Sequence, residues 1–373
     1  MSYALQTLWH ERQRYLPGVL AVAFSALLIA LQCGLLLGLF SITSLPIDHT
    51  KAHIWMGAPS VLSVDLGESI RTENLFRLQG QPEVERAEIY LQGFSYWSKP
   101  GGGRELCMVI GSRLEDDALG RVKELTPELR SKLTIPGNIV IDRSDMERLG
   151  VSEVGQTAEV IGSRVRVVGV TKGIRSLAGP YVFCSVSTAQ HLLRHSSDQT
   201  TYVLARCKNP ADAPKVVDRI RKDYKDHLSA FTKEEFSLRT RMHWLTKTKA
   251  GIALGYAAAL GLLVGAVVTS QTLRAATLAS IKEFAVLRAL GIPRWRMGLL
   301  VMGQAFWVGV IGVALAMPTV YGAAKLGDRL GVDVPLPWWL LLIATGVTLA
   351  MAIISGLFAL RVLRNVEPAT LLR

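Results

Sequence analysis

Hydrophobic positions along this 373-residue chain come in blocks. No Asp, Glu, Lys, Arg or His falls within residues 15–47, 250–273, 297–324 or 334–360. Each run matches or exceeds the roughly 20 residues that cross a hydrocarbon core, and buried helices of soluble proteins rarely stay uncharged that long. The pattern predicts four transmembrane helices, at 17–41, 250–273, 297–324 and 335–360. Pro17 suits the first turn of the first helix. Pro318 is a tolerated break in the third, and Trp338 and Trp339 mark an interfacial end of the fourth.

Between the first two runs the period shortens. AEIYLQGFSYW and ELCMVIGS flank Lys-Pro-Gly-Gly-Gly and read as a β-hairpin. A phosphate cradle would need a helix start with Lys-Ser/Thr after the glycines, which is missing. NIVID, a short helix stopped at Gly150, and two further strands rich in β-branched residues (Val165, Val167, Val168, Val170) follow. TTYVLARC then predicts a strand leading into an amphipathic helix with Val216, Val217 and Ile220 inward. Residues 42–249 are therefore expected to form a mixed α/β domain. Its last part, a stalk helix at 231–249, is expected to run unbroken into the second span, because no Gly or Pro interrupts it.

Residues 1–16 read as an amphipathic elbow, with Leu5, Leu8 and Trp9 on one face and Arg12 and Arg14 away from it. The apolar run that follows is far longer than the roughly 7–15 residues of a signal peptide, so an uncleaved anchor is expected.

Charge orients the helices. The segment 274–296 carries Arg274, Lys282, Arg288, Arg294 and Arg296 against Glu283 alone, and the N-terminus and the 361–373 tail are also basic on balance. By the positive-inside bias these three segments are cytoplasmic, which puts residues 42–249 and the short 325–334 loop outside. The net charge of +12 is explained largely by this topology, and no basic patch with interleaved aromatics suggests nucleic acid as a partner. A mean hydropathy of +0.29 agrees with a membrane protein that also has extramembrane modules.

Within 274–296, a helix is expected to stop at Gly291, followed by Pro293. Leu278, Ile281, Phe284, Ala285, Val286, Leu287 and Leu290 spread around nearly its whole circumference. Such a helix needs cover on several sides: lipid headgroups on one and a docked protein on another, although a plain juxtamembrane connector needs no partner. In the second span, Gly251, Gly255, Gly261 and Gly265 form two GxxxG spacings, which suit packing within the chain and a dimer seam equally well.

SIKEFAVLRALGIPRWRM resembles the cytoplasmic coupling segment of the MacB/FtsX family of ABC-transporter permeases. GIALGYAAALGLLVGAVVTSQTLRAAT resembles the DevC branch in particular, and RVLRNVEPATLLR the family's Pro-Ala-x-x-Leu-Arg ending. The likeness is close over the C-terminal third and looser elsewhere. There, residues 138–173 resemble the small β-rich subdomain of the MacB-type periplasmic region, and 54–108 together with 200–228 its porter-like subdomain. The resemblance implies an inner-membrane permease subunit worked by a separate ABC ATPase, which binds the ATP and Mg, so that this chain carries no cofactor. It implies that Lys282, Glu283 and Arg288 give polar contacts to that ATPase, that Phe284, Leu287 and Leu290 give an apolar anchor, and that Gly291 ends the lever. It further implies a homodimer in membrane lipid, a periplasmic membrane-fusion adaptor and an outer-membrane channel. An FtsX-like transmitter that regulates a cell-wall hydrolase keeps the same fold without transport. A membrane sensor with a ligand-binding ectodomain leaves two of the four spans unexplained.

Other chemistry is thinly represented. Gly-Lys occurs nowhere, so this sequence contains no P-loop and is not expected to be an enzyme. The spans lack the ionisable groups that ion-coupled carriers place at membrane depth, and Gln32, Gln271 and Gln304 are expected to hydrogen-bond between helices. His191 and His195 have i, i+4 spacing but lack the Glu of a zinc-protease motif, and neither they nor His49 and His53 are taken as metal ligands. Cys107, Cys184 and Cys207 include no CxxC, and buried free thiols are the expected state. No catalytic residue is assigned.

Overall fold

The computed structural model describes residues 12–176, 178–279, 286, 293–329 and 334–364. The chain divides into two units, an α/β unit of Leu39–Thr248 and a helical unit of Met1–Gly38 with Lys249–Arg373.

The helices of the α/β unit are α2 (Leu45–Asp48), α3 (Asn74–Gln79), α4 (Pro127–Leu133), α5 (Met146–Leu149), α6 (Val186–Leu193), α7 (Ala213–Asp223) and α8 (Lys233–Lys247); α1 (Arg12–Thr43) precedes them. Its strands are β1 (Ile54–Gly57), β2 (Ile70–Arg71), β3 (Val84–Ser98), β4 (Arg104–Ser112), β5 (Asn138–Asp142) and β6 (Thr157–Val160). They continue with β7 (Ser163–Thr171), β8 (Tyr181–Ser185), β9 (Gln199–Thr200), β10 (Tyr202–Cys207) and β11 (Ser229–Thr232). Nine strands form one sheet in the order β11-β1-β10-β3-β4-β8-β5-β7-β6, and β6 returns to pair with β3. The second half of β3 therefore closes a ring with β4, β8, β5, β7 and β6, while its first half continues into the open sheet through β10.

The predicted hairpin is present, in the register Leu91↔Gly111 to Ser98↔Arg104. Gly150 stops α5 in the left-handed conformation, at φ 68°. Val216, Val217 and Ile220 of α7 are buried as their spacing requires. The ring takes in more of the chain than the 138–173 segment expected for it, because β4 pairs in parallel with β8, Met108↔Tyr181 to Ser112↔Ser185.

Two cores follow from this sheet. Met108 and Ile110 of β4 join the larger one, with Trp55, Tyr90, Tyr202 and Phe236 at its centre. Cys107 and Val109, on the opposite face of the same strand, join the core of the ring with Leu91, Trp97, Ile139 and Val167. β4 is apolar on both faces because both are covered, and so its sequence does not alternate. Trp55 meets Tyr90 and Tyr202 edge-on, at 5.2 and 5.5 Å between ring centroids. A side chain on Gly67 would collide with the Tyr202 hydroxyl, which donates to the Val64 carbonyl at 2.8 Å.

The helical unit contains α9 (Lys249–Ala279), α10 (Arg294–Arg329) and α11 (Trp338–Arg364), together with the first part of α1. Four helices among the described residues are long and apolar enough to cross a membrane, the number the uncharged runs predict. Tyr15, Val19 and Val22 of α1 pack on Ala305 and Val308 of α10, and Ala23 and Ala26 pack on Val313 and Ala316. These positions recur at helical spacing, and the small residues bring the helices close. Pro318 sits inside α10 without ending it.

Candidate functional site

The α/β unit holds its entry and exit segments together. α2 follows directly on α1, α8 directly precedes α9, and Arg241 of α8 joins α2 by donating to Ser44 Oγ at 2.8 Å and Asp48 Oδ2 at 2.7 Å. Ser44 also donates to Asp48 Oδ2, at 2.6 Å. Burial opposes ionisation of Asp48, but hydrogen bonds from Ser44, Ser237 and Arg241 and the guanidinium charge hold its carboxyl below the usual range. Lys233 Nζ adds a bond to the Thr50 carbonyl at 2.7 Å.

A second side of α8 clasps the segment 61–65. Arg239 donates to the Val61 carbonyl at 2.8 Å, and Thr240 Oγ1 accepts from the Val64 amide at 3.2 Å. Trp244 Nε1 donates to Asp65 Oδ2 at 2.7 Å. Asp65 is 8% exposed. Burial pushes its carboxyl up to about 6, against the hydrogen bonds from Trp244 and Ser63 that favour the ionised form. Thr232 caps α8 by accepting from the Glu235 amide, and Glu234 and Glu235 lie in the first turn, where the helix dipole favours acids.

The stalk differs from expectation at its end. α8 stops at Lys247, Thr248 is extended at φ −94° and ψ 147°, and α9 begins at Lys249. Neither Gly nor Pro causes the break. Thr246 Oγ1 donates to the Met242 carbonyl and Thr248 Oγ1 to the Trp244 carbonyl, bonds that compete with the backbone ladder in the last turn of α8. The unbroken helix over 231–249 is thus corrected to a helix of Lys233–Lys247 with an extended residue after it.

In the helical unit the two glycine spacings part company. A side chain on Gly265 would strike Ser25 of α1, and one on Gly261 would touch Leu28 at 3.7 Å, whereas one on Gly255 would meet nothing within 4 Å. Gly261 and Gly265 serve packing within the chain; Gly255, like its neighbour Tyr256, faces outward. Gly251 lies in the first turn of the same helix. Gln304 is buried, but Gln271 is exposed on α9, and Gln32 Oε1 is buried with no hydrogen-bond partner among the described residues. Among the described residues, no interhelical bond is found for Gln271 or for this atom of Gln32. Lys282, Glu283, Phe284, Leu287, Arg288, Leu290 and Gly291 lie outside the described residues.

Three of the four candidate histidines have side-chain or backbone partners, whereas His195 Nδ1 is buried with no hydrogen-bond partner among the described residues. α6 ends at Leu193 and Arg194 is left-handed, so His191 and His195 do not share a helical face. His191 Nε2 lies 3.1 Å from Ser163 Oγ, His49 Nδ1 lies 2.7 Å from Glu124 Oε1, and His53 Nδ1 accepts from the Cys207 amide at 3.2 Å. All four cysteines are free thiols, and burial pushes Cys107 up to about 12, where it is neutral and inert. The contacts of Asp65 and Arg241 had no signal in the sequence. Their partners are 179 and 193–197 residues distant, and one carboxylate or guanidinium in an α/β domain looks like any other until the fold is known.

Long apolar helices flanking a discrete α/β unit define a multi-pass membrane protein with a large extramembrane domain. Residues 19–223 match the MacB-like periplasmic core domain, and residues 255–368 match the FtsX-like permease C-terminal region. The chain belongs to the MacB/FtsX family of ABC transporter permeases. It is 25% identical over 236 residues to an uncharacterized ABC transporter permease of Methanocaldococcus jannaschii, a match that covers 59% of this chain and 58% of that relative. The periplasmic region of MacB from Actinobacillus actinomycetemcomitans is similar at a TM-score of 0.35 and 12% identity, over 50% of this chain and 92% of that one. The extracellular domain of the transporter YknZ from Gram-positive bacteria is similar at a TM-score of 0.33 and 14% identity, over 48% of this chain and 98% of that one.

Proposed function

We propose that the chain is the membrane subunit of an ABC exporter of the MacB type, in its DevC branch, and that it passes ATP-driven motion to its extramembrane domain. The observation that carries this reading is the succession of a MacB-like periplasmic core at 19–223 and an FtsX-like permease region at 255–368 on one chain. In this reading the α/β unit is inserted between the first and second spans, in the periplasm. Both termini and the 274–296 segment are on the cytoplasmic side of the inner membrane.

A separate ATPase binds ATP and Mg and pushes on the helix containing Lys282, Glu283, Phe284, Leu287, Arg288 and Leu290, which Gly291 ends. The chain works as a homodimer, and the periplasmic domain acts with a membrane-fusion adaptor that leads to an outer-membrane channel. Within the domain, the bond of Arg241 to Asp48 and Ser44 ties the segment after the first span to the segment before the second. Displacement of either is then felt by both, and through Asp65 and Trp244 by the wall of the larger core.

The test is reconstitution with the ATPase. Glu283→Ala combined with Phe284→Ala is expected to weaken assembly and abolish stimulated hydrolysis; intact assembly and stimulation would overturn the coupling role. The FtsX-like region also suits a transmitter that regulates a periplasmic hydrolase. An adaptor gene beside the permease gene supports export, and an amidase-like gene there supports the transmitter.

A further inference from the structure

We propose that the groove between α9 and α11 is a binding site for one anionic phospholipid, with an acyl chain along the groove and the headgroup at its polar end. The groove holds about 580 Å³, within the range of pockets that hold small molecules. Small residues, Ala266 and Ala350, leave the space, and Val267 and Ile354 form its walls, each about half exposed. Ser355 Oγ donates to the Ala266 carbonyl at 3.5 Å, which ties the two helices together at the groove's lining.

The lining changes character along α9. Ser270 and Gln271 are its polar members on α9, as Ser355 is on α11, and Arg274, exposed, lies one turn further on the same helical face. An apolar trough that ends in a hydroxyl and an amide, with a basic residue one turn beyond it on the same helix, matches a hydrocarbon chain joined to an anionic phosphate ester. It does not match an apolar helix of a second copy, which would offer the exposed Gln271 amide no hydrogen-bond partner. The same zoning explains why Gln271 is not between helices. α9 has room for such an occupant, since among the described residues it is far less buried than the other three long apolar helices. The placement of Arg274 at headgroup level on the anionic cytoplasmic leaflet rests on the topology proposed above.

Native mass spectrometry of the full chain in detergent, without the ATPase, tests this with phosphatidylglycerol and phosphatidylcholine as probes. One phosphatidylglycerol is expected to be retained per chain, in preference to phosphatidylcholine by about fivefold, the factor one basic residue contributes near an anionic headgroup. Arg274→Gln is expected to abolish the preference while retaining lipid, and Ala350→Trp to lower retention of both lipids about tenfold by filling the trough. Leu299→Trp, at an exposed position of α10, is the control and should change neither. If Ala350→Trp does not fold, a photoactivatable phosphatidylglycerol on the wild type replaces it, and its label should fall on α9 and α11. Equal retention by wild type and Ala350→Trp, label on other helices, or a Val267→Cys cross-link between two copies that persists in lipid would overturn the proposal. Because no ATPase is present, failure here leaves the coupling role untouched, and loss of coupling in the reconstituted complex leaves this site untouched.

Discussion

At the scale of the residue, Asp65 sets a pH dependence. Its folded-state value of about 6 lies above the roughly 3.9 of an unfolded aspartate, so the folded chain holds the extra proton. The stability this gives is fully present below about pH 4 and is lost as the pH rises through 6. Asp65→Asn keeps an oxygen for Trp244 and removes the charge. It is expected to be more stable than the wild type at pH 8, by on the order of 2 kcal/mol, and to converge with it near pH 4, as read by denaturant unfolding of the full chain in detergent. Asp145 is likewise raised to about 6, by burial and by Asp142, so the slope belongs to Asp65 only as a difference between the two proteins. A parallel pH profile in both would refute the assignment.

Among elements, the glycines of α9 separate packing inside the chain from exposure. Gly265→Leu is expected to destabilise the helical unit by about 1–3 kcal/mol because of Ser25, while Gly255→Leu is expected to be neutral, measured as thermal unfolding in detergent. The break after α8 gives another outcome. Thr248→Ala removes a β-branched residue and its back-bond, and should slow amide exchange around residues 245–250 about threefold, in proportion to the gain in helix propensity. Where a pattern was local, the sequence was readable: uncharged runs marked the four long helices, and Lys-Pro-Gly-Gly-Gly marked the β3–β4 turn. The parallel pairing of Met108 with Tyr181 depends on a crossover of more than 70 residues, for which no periodicity speaks. The stop at Thr248 follows from two hydroxyls whose rotamers no sequence displays. The candidate coupling residues 282–284, 287, 288, 290 and 291 lie outside the described residues and rest on the family resemblance alone, since apolar positions spread around an expected helix specify cover without specifying by what.

For the molecule as a whole, the α/β unit of Leu39–Thr248 interrupts the helical unit in sequence, so its own two ends must lie near each other, and the Arg241–Asp48 bond within it secures that return. The predicted topology has a direct check: single cysteines at 282 and at 102 should be labelled by an impermeant maleimide from opposite sides of sealed vesicles, and labelling from one side would refute it. The 15 residues of β3, finally, give their first half to one core and their second half to the other. Neither β-rich half can melt while the other stays intact, since losing the common strand opens both interiors to water at once. Two lobes that look separable should therefore give a single calorimetric transition, and an insertion at Gly93, midway along that strand, should abolish both lobes together rather than free one to tumble alone.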